Sequence, residues 1–484
     1  MSWLLRFFSF DNENIASRHI DSRQRARKTW NVGEKEPQVK VGDIIEKYGQ
    51  VFTWSDLHVM PSRLQCLRSE GDVMCDMLLE TFNPQPKDDV LDKILDDAKE
   101  SSDLNAKNFI HAYSEVPAWV DWEQVRRGQK VFIRDLPACG ISLYYLSLVG
   151  GFSAPLITKV LRATGYLTSG RKQVIRRLAD TSQMIFECLM PDSLLPNNKG
   201  WLSVLRVRFL HGMVRRRLKS RPYWNEKEWG VPINQEDMSA TLLAFSYNVL
   251  IGIELVLGKP LNREDQECYI HLWRYIGWLI GVDDKHNPCT SVDRAKATLE
   301  SIVMHILEPD EDSRAVAFHL LQVPRNGRGL AFRQHLCRKF IGDKLADSLG
   351  LPVSTLWQSF TYFFMICIRL YSWVIRLPIV KDKAYTFHYN LIRKALYEGE
   401  LKNAQHVLTS DPPEFFTLNE ESYKLGHDNL PSPITGCPVL RTHEIRDTKV
   451  AGYPVWQKLL VSTALFTFGT VCLLSRSFPE RSLV

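Results

Sequence analysis

The stretch 170–224 constrains the fold of this chain most, because two helical segments in it carry charged side chains inside an apolar pattern. In the first segment, Arg177 and Thr181 lie four positions apart and therefore share one face of an α-helix. In the second segment, arginines and a histidine recur at helical spacing among leucine, valine and phenylalanine. The pattern predicts two helices, each with a polar face set in apolar surroundings.

The second helix presents Arg208, His211 and Arg215 at positions i, i+3 and i+7, which again share one face. An imidazole can ligate iron, and guanidinium groups can pair with carboxylates or with a polar oxygen species. These are the residue types that a haem pocket needs. The residues alone leave two other interpretations open: a partly buried histidine without a ligand role, and a solvated or membrane-facing patch formed by Arg215–Arg217.

Composition argues against several classes of protein. The chain has 484 residues, of which 45% are hydrophobic and 24% charged, and its net charge is +6; these values are ordinary for a globular protein. Its ten cysteines include no C-x-x-C pair, which argues against a zinc module and against a secreted disulfide framework. No RNA-binding motif, zinc knuckle or helix-turn-helix pattern accompanies the basic stretch, so we expect no nucleic-acid partner.

Apolar residues at helical spacing predict further helices on both sides of this stretch. Helical pieces are expected within 41–105, where we find no candidate site residue. Later helices are expected at 239–257, 264–282, 291–307, 330–349 and 356–377. His271 is the second candidate iron ligand, with a core histidine as the more ordinary interpretation, and Cys188 is predicted to lie in the core.

Three apolar stretches raise the question of a membrane. The stretch 136–158 carries no charge, but its glycines and prolines favour a buried helix pair over a membrane span. The aromatic segment 356–377 fits either a membrane surface or the wall of an apolar substrate channel. Near the C-terminus, 455–475 predicts a transmembrane anchor, with an amphipathic helix docked on the domain as the alternative.

Four short motifs occur in an order that is known from one family of oxygenases. They are R-x-x-x-T at 177–181, H-x-x-V-R at 211–215, VPINQEDM at 231–238 and WRYIGWLIGV at 273–282. Each motif is short, but four in this order are fairly specific. From about His111 to about Lys394, the sequence resembles the family that joins bacterial rubber oxygenases with fungal ER-bound MpaB-type oxygenases.

This resemblance implies an all-α fold whose globin-like helical core holds one b-type haem. It implies that His211 binds the cofactor as the axial iron ligand, with Arg208 and Arg215 flanking it on the ligand helix. Arg177 and Thr181 would then be the catalytic pair of the haem-pocket motif. The chain accordingly divides into an N-terminal extension at 1–110, a haem-binding oxygenase catalytic domain at 111–410, an irregular linker at 411–454 and the C-terminal membrane-anchor helix at 455–475.

The resemblance further implies O2-dependent cleavage of a carbon–carbon double bond in a lipophilic, prenylated small molecule, of the kind made in secondary metabolism. It places the enzyme at the membrane of the endoplasmic reticulum. The sequence indicates no protein partner. Two other hypotheses stay open: a haem enzyme with peroxidase or isomerase chemistry, and a haem-free membrane scaffold in which the motif side chains do not converge.

One feature of the chain departs from the family pattern. Rubber-cleaving members place a glutamate over the iron, upstream of the R-x-x-x-T motif, as a catalytic base. This chain has no glutamate between Glu123 and Glu187, and the acidic residues in that interval are Asp135 and Asp180. Asp180 is next to Thr181 and could serve, but on an ideal helix it points about 100° away. The residue that handles protons is therefore not assigned by the sequence.

Overall fold

The computed structural model describes residues 27–28, 39–84, 89–100, 104–164, 171–324 and 329–398. Within these residues the chain is mostly helical, as predicted, and a small three-stranded sheet accompanies the helices. The predicted linker at 411–454 and the predicted anchor at 455–475 lie outside the described residues, so both stay predictions.

The first half of the chain has short helices, followed by two long helices within the stretch 170–224. In chain order they are α1 (Pro61–Leu67), α2 (Val73–Phe82), α3 (Val90–Glu100), α4 (Leu104–Ser114), α5 (Trp122–Arg134), α6 (Leu136–Ile141), a π-helix (Ser142–Val149), α7 (Pro155–Ala163), α8 (Arg171–Leu189) and α9 (Lys199–Lys219).

The second half continues with helices that cover the remaining sides of the core. They are α10 (Glu226–Trp229), α11 (Gln235–Phe245), α12 (Tyr247–Leu257), α13 (Arg263–Ile280), a 3-10 turn (Pro288–Thr290), α14 (Val292–Ile306), α15 (Glu311–Gln322), α16 (Leu330–Ile341), α17 (Asp343–Ser348), α18 (Thr355–Val374) and α19 (Lys381–Tyr397).

The described residues before α1 form a small sheet with a β-hairpin instead of helix, whereas α2 and α3 confirm the helical pieces that were predicted further along 41–105. Strand β2 (Ile44–Lys47) pairs antiparallel with β3 (Gln50–Thr53), and β1 (Arg27–Lys28) pairs parallel with β2. Tyr48 and Gly49 connect β2 and β3 with φ angles of 50° and 81°. Two successive positive φ angles are typical of the two-residue turn that suits the twist of a hairpin.

Two predictions about apolar stretches can be compared with the fold. The charge-free stretch 136–158 forms α6, the π-helix and the start of α7, and it is largely buried, as predicted. The single helix predicted at 239–257 is instead broken at Ser246, whose backbone leaves the helical conformation between α11 and α12. Among the described residues, Gln235–Leu257 is apolar and long enough to cross a membrane, and 56% of the window tested is buried inside the fold.

Helix α13 lies at the centre of the fold and packs along α5. Gly128 on α5 permits this close approach, because a Cβ atom there would lie 2.5 Å from the Cys268 carbonyl oxygen and 2.9 Å from Leu272 Cβ. Helix α9 packs in turn against α13, α8 and α2. The helix that carries His211 is therefore held on three sides before any cofactor is considered.

We expect Gly128→Ala to lower the free energy of unfolding by about 1–3 kcal/mol, because the added methyl group overlaps a helix backbone that cannot move away alone. Gly151→Ala is the matched control, since a Cβ atom at that position meets nothing within 4 Å. Denaturant unfolding of both variants measures the difference. Equal stability of the two variants would contradict the close packing of α5 on α13.

Candidate active site

A cavity of about 790 Å³ lies among α7, α8, α9, α11, α13, α14 and the π-helix. Its volume falls within the ~300–1,000 Å³ that is usual for cofactor and small-molecule sites. Most of its wall is apolar, and representative side chains are Leu146, Ile157, Val207, Leu210, Met238 and Ile276. An apolar wall of this extent favours a hydrophobic occupant.

Polar side chains of the two central helices line this cavity. Arg177, Asp180 and Thr181 reach it from α8, and His211 reaches it from α9. The Arg177 Nη1 atom lies 3.4 Å from the Asp180 Oδ2 atom. Helices α8 and α9 pack against each other. Together they bring a cation, a carboxylate, a hydroxyl and an imidazole to one apolar space.

The His211 imidazole is in its neutral form, which is the form that binds a metal ion. Burial, together with the nearby Arg215 charge, lowers the pKa of His211 to about 4, so the ring is neutral at physiological pH. Its Nδ1 atom is buried and has no hydrogen-bond partner among the described residues. A buried ring nitrogen that lacks a hydrogen-bond partner is uncommon in the core of a folded protein.

The Asp180 carboxyl group is 7% exposed, and its Oδ1 atom has no hydrogen-bond partner in the described part of the chain. Burial raises the pKa of Asp180, and the positive charges of Arg177 and Arg176 oppose that rise without cancelling it. The sequence analysis expected this side chain to point away from Thr181. In the structure both residues line the cavity, because the cavity extends around more than one side of α8.

Arg208 and Arg215 flank His211 on α9, but their guanidinium groups are bonded to α2 rather than lining the cavity. Arg208 donates to both carboxylate oxygens of Asp72 at 2.6 and 2.8 Å, and both side chains are buried. Arg215 donates to Asp76 at 2.8–2.9 Å. A cofactor role for the two arginines stays a prediction; in the structure they fasten the ligand helix to α2.

The two later motifs meet around the same junction. Asn234 caps α11 by accepting a hydrogen bond from the Asp237 backbone N–H at 2.9 Å. Gln235 donates to the carbonyl oxygens of Gly71 and Gly281 at 3.1 and 3.0 Å. Gly281 ends α13 with φ 101° and leaves no room for a Cβ atom beside the Asp72 carboxylate.

Several acidic residues at this site were not among the candidates from the sequence. Asp72 and Asp76 come from a segment in which no site residue was found, although Asp72 is recognisable as the N-cap of α2, where it accepts from the Cys75 N–H. Asp237 lines the cavity, and burial next to Glu236 raises its pKa to about 7. Local patterns do not indicate which charges pair between distant helices.

The other candidates from the sequence lie outside the cavity. His271 accepts a hydrogen bond from the Asp121 backbone N–H at 2.9 Å and packs edge-on against Trp119. Cys188 is buried in the core, as predicted, with its Sγ atom 3.8 Å from Met184 Sδ. Within the described residues, no group of three or more His, Cys, Asp or Glu is arranged to hold a metal ion.

The donor set fits a haem, which would need one protein ligand because the macrocycle itself supplies the remaining nitrogen ligands of the iron. His211 offers a neutral imidazole with an unbonded buried nitrogen. Gly140, Gly150 and Gly151 line the cavity, and the space beside Gly151 is open to at least 4 Å from where a Cβ atom would lie. The residues present are therefore compatible with a flat hydrophobic cofactor.

Taken together, the fold and the cavity define a mostly helical protein with one buried apolar site that joins an imidazole to an arginine, an aspartate and a threonine. The sequence profile of the family described as "ER-bound oxygenase mpaB/B'/Rubber oxygenase, catalytic domain" matches residues 140–376. Residues 140–376 are therefore similar to the catalytic domain of this family, and they contain all five side chains that were proposed for the site from the sequence.

Two relatives place this segment more closely. The rubber oxygenase of Streptomyces sp. (strain K30) is 25% identical over 250 residues, which cover 51% of this chain and 60% of that protein. The solved structure of a latex clearing protein in its closed state superposes with a TM-score of 0.52 at 19% identity, covering 68% of this chain and 90% of that one. The second comparison shows a shared fold.

Proposed function

We propose that this protein is a haem b-dependent oxygenase that uses O2 to cleave a carbon–carbon double bond in a lipophilic substrate. The observation that carries the proposal is the convergence of Arg177, Thr181 and His211 on one apolar cavity of about 790 Å³. A haem-free scaffold does not need these three side chains in one place. The family match of 140–376 supports oxygenase chemistry, and the haem is our inference from the donor set.

Each side chain then has a defined task. His211 holds the haem iron, and the haem supplies the binding and activation of O2. The Arg177 guanidinium group can donate hydrogen bonds to a polar oxygen atom in the cavity, and the Thr181 hydroxyl can donate one more. The apolar wall holds the alkene and excludes water. Arg208 and Arg215 position α9 through α2.

The chemistry of the wall defines the class of substrate. Leucine, isoleucine, valine and methionine side chains offer contact surface but almost no hydrogen bonds, so they select a hydrocarbon chain rather than a polar molecule. A prenylated small molecule of secondary metabolism fits this description, and so does an isoprenoid chain. The relative named as a rubber oxygenase supports a substrate with repeated alkene units.

The test is spectroscopic and chemical. We expect the purified full-length chain, expressed with added haem precursor, to show a Soret band and a carbon monoxide difference spectrum. With a prenylated aromatic compound it should consume one O2 for each alkene cleaved and release carbonyl products. Folded protein that stays colourless would sink the proposal, whereas haem-loaded protein that turns over without O2 would favour the peroxidase or isomerase alternative.

We further propose that the enzyme works at a lipid surface. Helix α18 exposes a row of apolar side chains at helical spacing, which we name the outer stripe. Its members are Leu356, Phe360, Phe363 and Leu370, with exposed fractions of 73%, 54%, 62% and 45%. No residue of α18 lines the cavity, so the interpretation of this segment as a channel wall has no support among the described residues.

The charge around the outer stripe favours lipid over another protein surface. No acidic residue occurs between Asp347 and Asp382, and the exposed Lys381 and Lys383 lie with Asp382 in the first turn of the next helix, α19. An apolar face bordered by cations is typical of helices that lie in the interface of an anionic bilayer. The predicted anchor at 455–475 would hold the same chain end at that membrane.

We expect the triple substitution of Leu356, Phe360 and Phe363 by serine to weaken binding to vesicles of phosphatidylcholine and phosphatidylserine by about tenfold or more. The reason is that it removes apolar area that the bilayer would bury. Serine at the exposed Val73 and Met77 of α2 is the matched control and should leave binding unchanged. Cosedimentation of the full-length chain measures both. Unaltered binding of the triple variant would show that the outer stripe does not touch lipid.

A further inference from the structure

We propose that Asp180 holds the exchangeable proton of the cavity on its Oδ1 atom, and that Arg177 is the cation that governs when this proton is held. The inference rests on the proposed oxygenase function and goes beyond it, because neither the sequence nor the family match assigns a proton-handling residue in this chain. Its basis is the placement of one carboxyl group and of the charges around it.

The geometry gives the two oxygens of Asp180 different surroundings. Oδ2 lies 3.4 Å from Arg177 Nη1, while Oδ1 is buried and has no partner among the described residues. The side chain is 93% shielded from solvent and belongs to the wall of the cavity. A buried carboxylate oxygen without a donor is costly when charged, and it becomes satisfied when it carries a proton that can bond to an occupant of the cavity.

The charges around Asp180 make its protonation adjustable. Burial raises its pKa, while Arg177 and Arg176 on the same helix pull the pKa down. From the packed elements, the cavity is also lined by His211 of α9, Asp237 of α11, Glu254 of α12, Arg263 of α13 and Asp293, Lys296 and Glu300 of α14. His211 is neutral, since burial lowers its pKa to about 4. A change at Arg177, such as pairing with a polar substrate atom, therefore shifts Asp180 towards the protonated form.

The overall reaction requires such a group to be reversible. Cleavage of C=C by O2 gives two C=O groups, with both oxygen atoms in the products and no proton gained or lost overall. Any proton that is taken during turnover must therefore be returned in the same turnover. A carboxyl group enclosed in an apolar cavity, with a pKa raised by burial, can do both.

Asp237, Glu254, Asp293 and Glu300 also contribute carboxyl groups to the wall of the cavity. Asp237 is the main competitor, because burial raises its pKa to about 7. Its Oδ2 atom accepts from the Asn234 side-chain N–H at 3.0 Å, and its backbone N–H donates back to Asn234. This reciprocal pair caps α11, so the carboxyl group has a structural task. It also lacks an arginine beside it on its own helix, whereas Asp180 has Arg177 one turn away.

The experiment compares Asp180→Asn, Asp180→Glu and Asp237→Asn in the full-length protein. Asparagine keeps the shape of aspartate but cannot hold an acidic proton, and glutamate restores the carboxyl group. We measure haem content, the infrared C–O stretching band of the carbon monoxide adduct between pH 5 and 9, and turnover of a prenylated aromatic compound. Thermal unfolding of each variant checks that it is folded.

We expect the wild-type protein and Asp237→Asn to show two C–O bands that interconvert with pH, and Asp180→Asn to show one band at every pH. Asp180→Asn should bind haem normally but turn over about 100-fold more slowly or worse, with partial recovery in Asp180→Glu. A pH-dependent pair of bands in Asp180→Asn, or its loss in Asp237→Asn, overturns the inference alone. Wild-type protein without haem overturns the proposed function, and this inference with it.

Discussion

His211→Ala is expected to remove the Soret band of the purified protein and to bring O2-dependent turnover down to the background rate. The imidazole is the only histidine side chain among the described residues that lines the cavity, and alanine leaves the iron without a protein ligand. Absorption spectra after expression with haem precursor, and a titration of the refolded variant with haemin, measure the loss.

His271→Ala is the matched control for this prediction. His271 is the other histidine that the sequence offered as a ligand, yet its Nε2 atom accepts from the Asp121 backbone N–H outside the cavity. We expect this variant to keep its Soret band while losing some stability. If His211→Ala binds haem with wild-type affinity, or His271→Ala loses it, the ligand assignment is wrong whatever the enzyme's reaction proves to be.

The second large effect is expected from the buried ion pair between α9 and α2. Arg208→Ala should lower the free energy of unfolding by about 3–5 kcal/mol, because it leaves the Asp72 carboxylate buried without its cation. Arg208 and Asp72 are only 2% and 5% exposed. The guanidinium group also lies over the Tyr113 ring, with 4.3 Å from Cζ to the ring centroid, and alanine loses that contact too.

Arg126→Ala provides the comparison, because the Arg126 Nε atom lies 2.8 Å from Asp192 Oδ1 but both side chains are about half exposed, at 49% and 50%. We expect it to cost less than about 1 kcal/mol. The double variant Asp72→Leu with Arg208→Met removes both charges and should recover much of the lost stability. Urea unfolding of the wild-type protein and the three variants distinguishes these cases. Equal losses of unfolding free energy in Arg208→Ala and Arg126→Ala would falsify the stabilising role of the buried Arg208–Asp72 pair.

The helical parts of this fold were predictable wherever periodicity was long and unbroken. The stretch 170–224 gave two helices whose polar side chains meet, because residues three or four positions apart must share a face. The break at Ser246 was not predictable, since no proline or glycine marks it and its neighbours are apolar on both sides. The hairpin at 44–53 was missed because its turn uses Tyr48–Gly49 instead of the usual Asn–Gly.

The sequence predicted only those parts of the candidate site that lie together on a single helix. Spacing identified His211 and the Arg177–Thr181 pair, but the partners of Arg208 and Arg215 lie more than 130 positions earlier, and no local pattern reports a contact over that distance. Asp180 was judged by the direction of an ideal helix, whereas access to the cavity depends on how neighbouring helices curve around it. The direction of a side chain is local, but what it faces is set by the tertiary fold.

The bonds from α2 to α9 bear on how this protein can be divided. The family profile begins at residue 140, yet Asp72 and Asp76, which neutralise Arg208 and Arg215, precede it by more than sixty positions. A fragment limited to residues 140–376 would leave the buried guanidinium groups of Arg208 and Arg215 without the carboxylates of Asp72 and Asp76. The smallest piece that can refold on its own must therefore start upstream of α2, and the evolutionary unit seen by sequence comparison is shorter than the cooperative one.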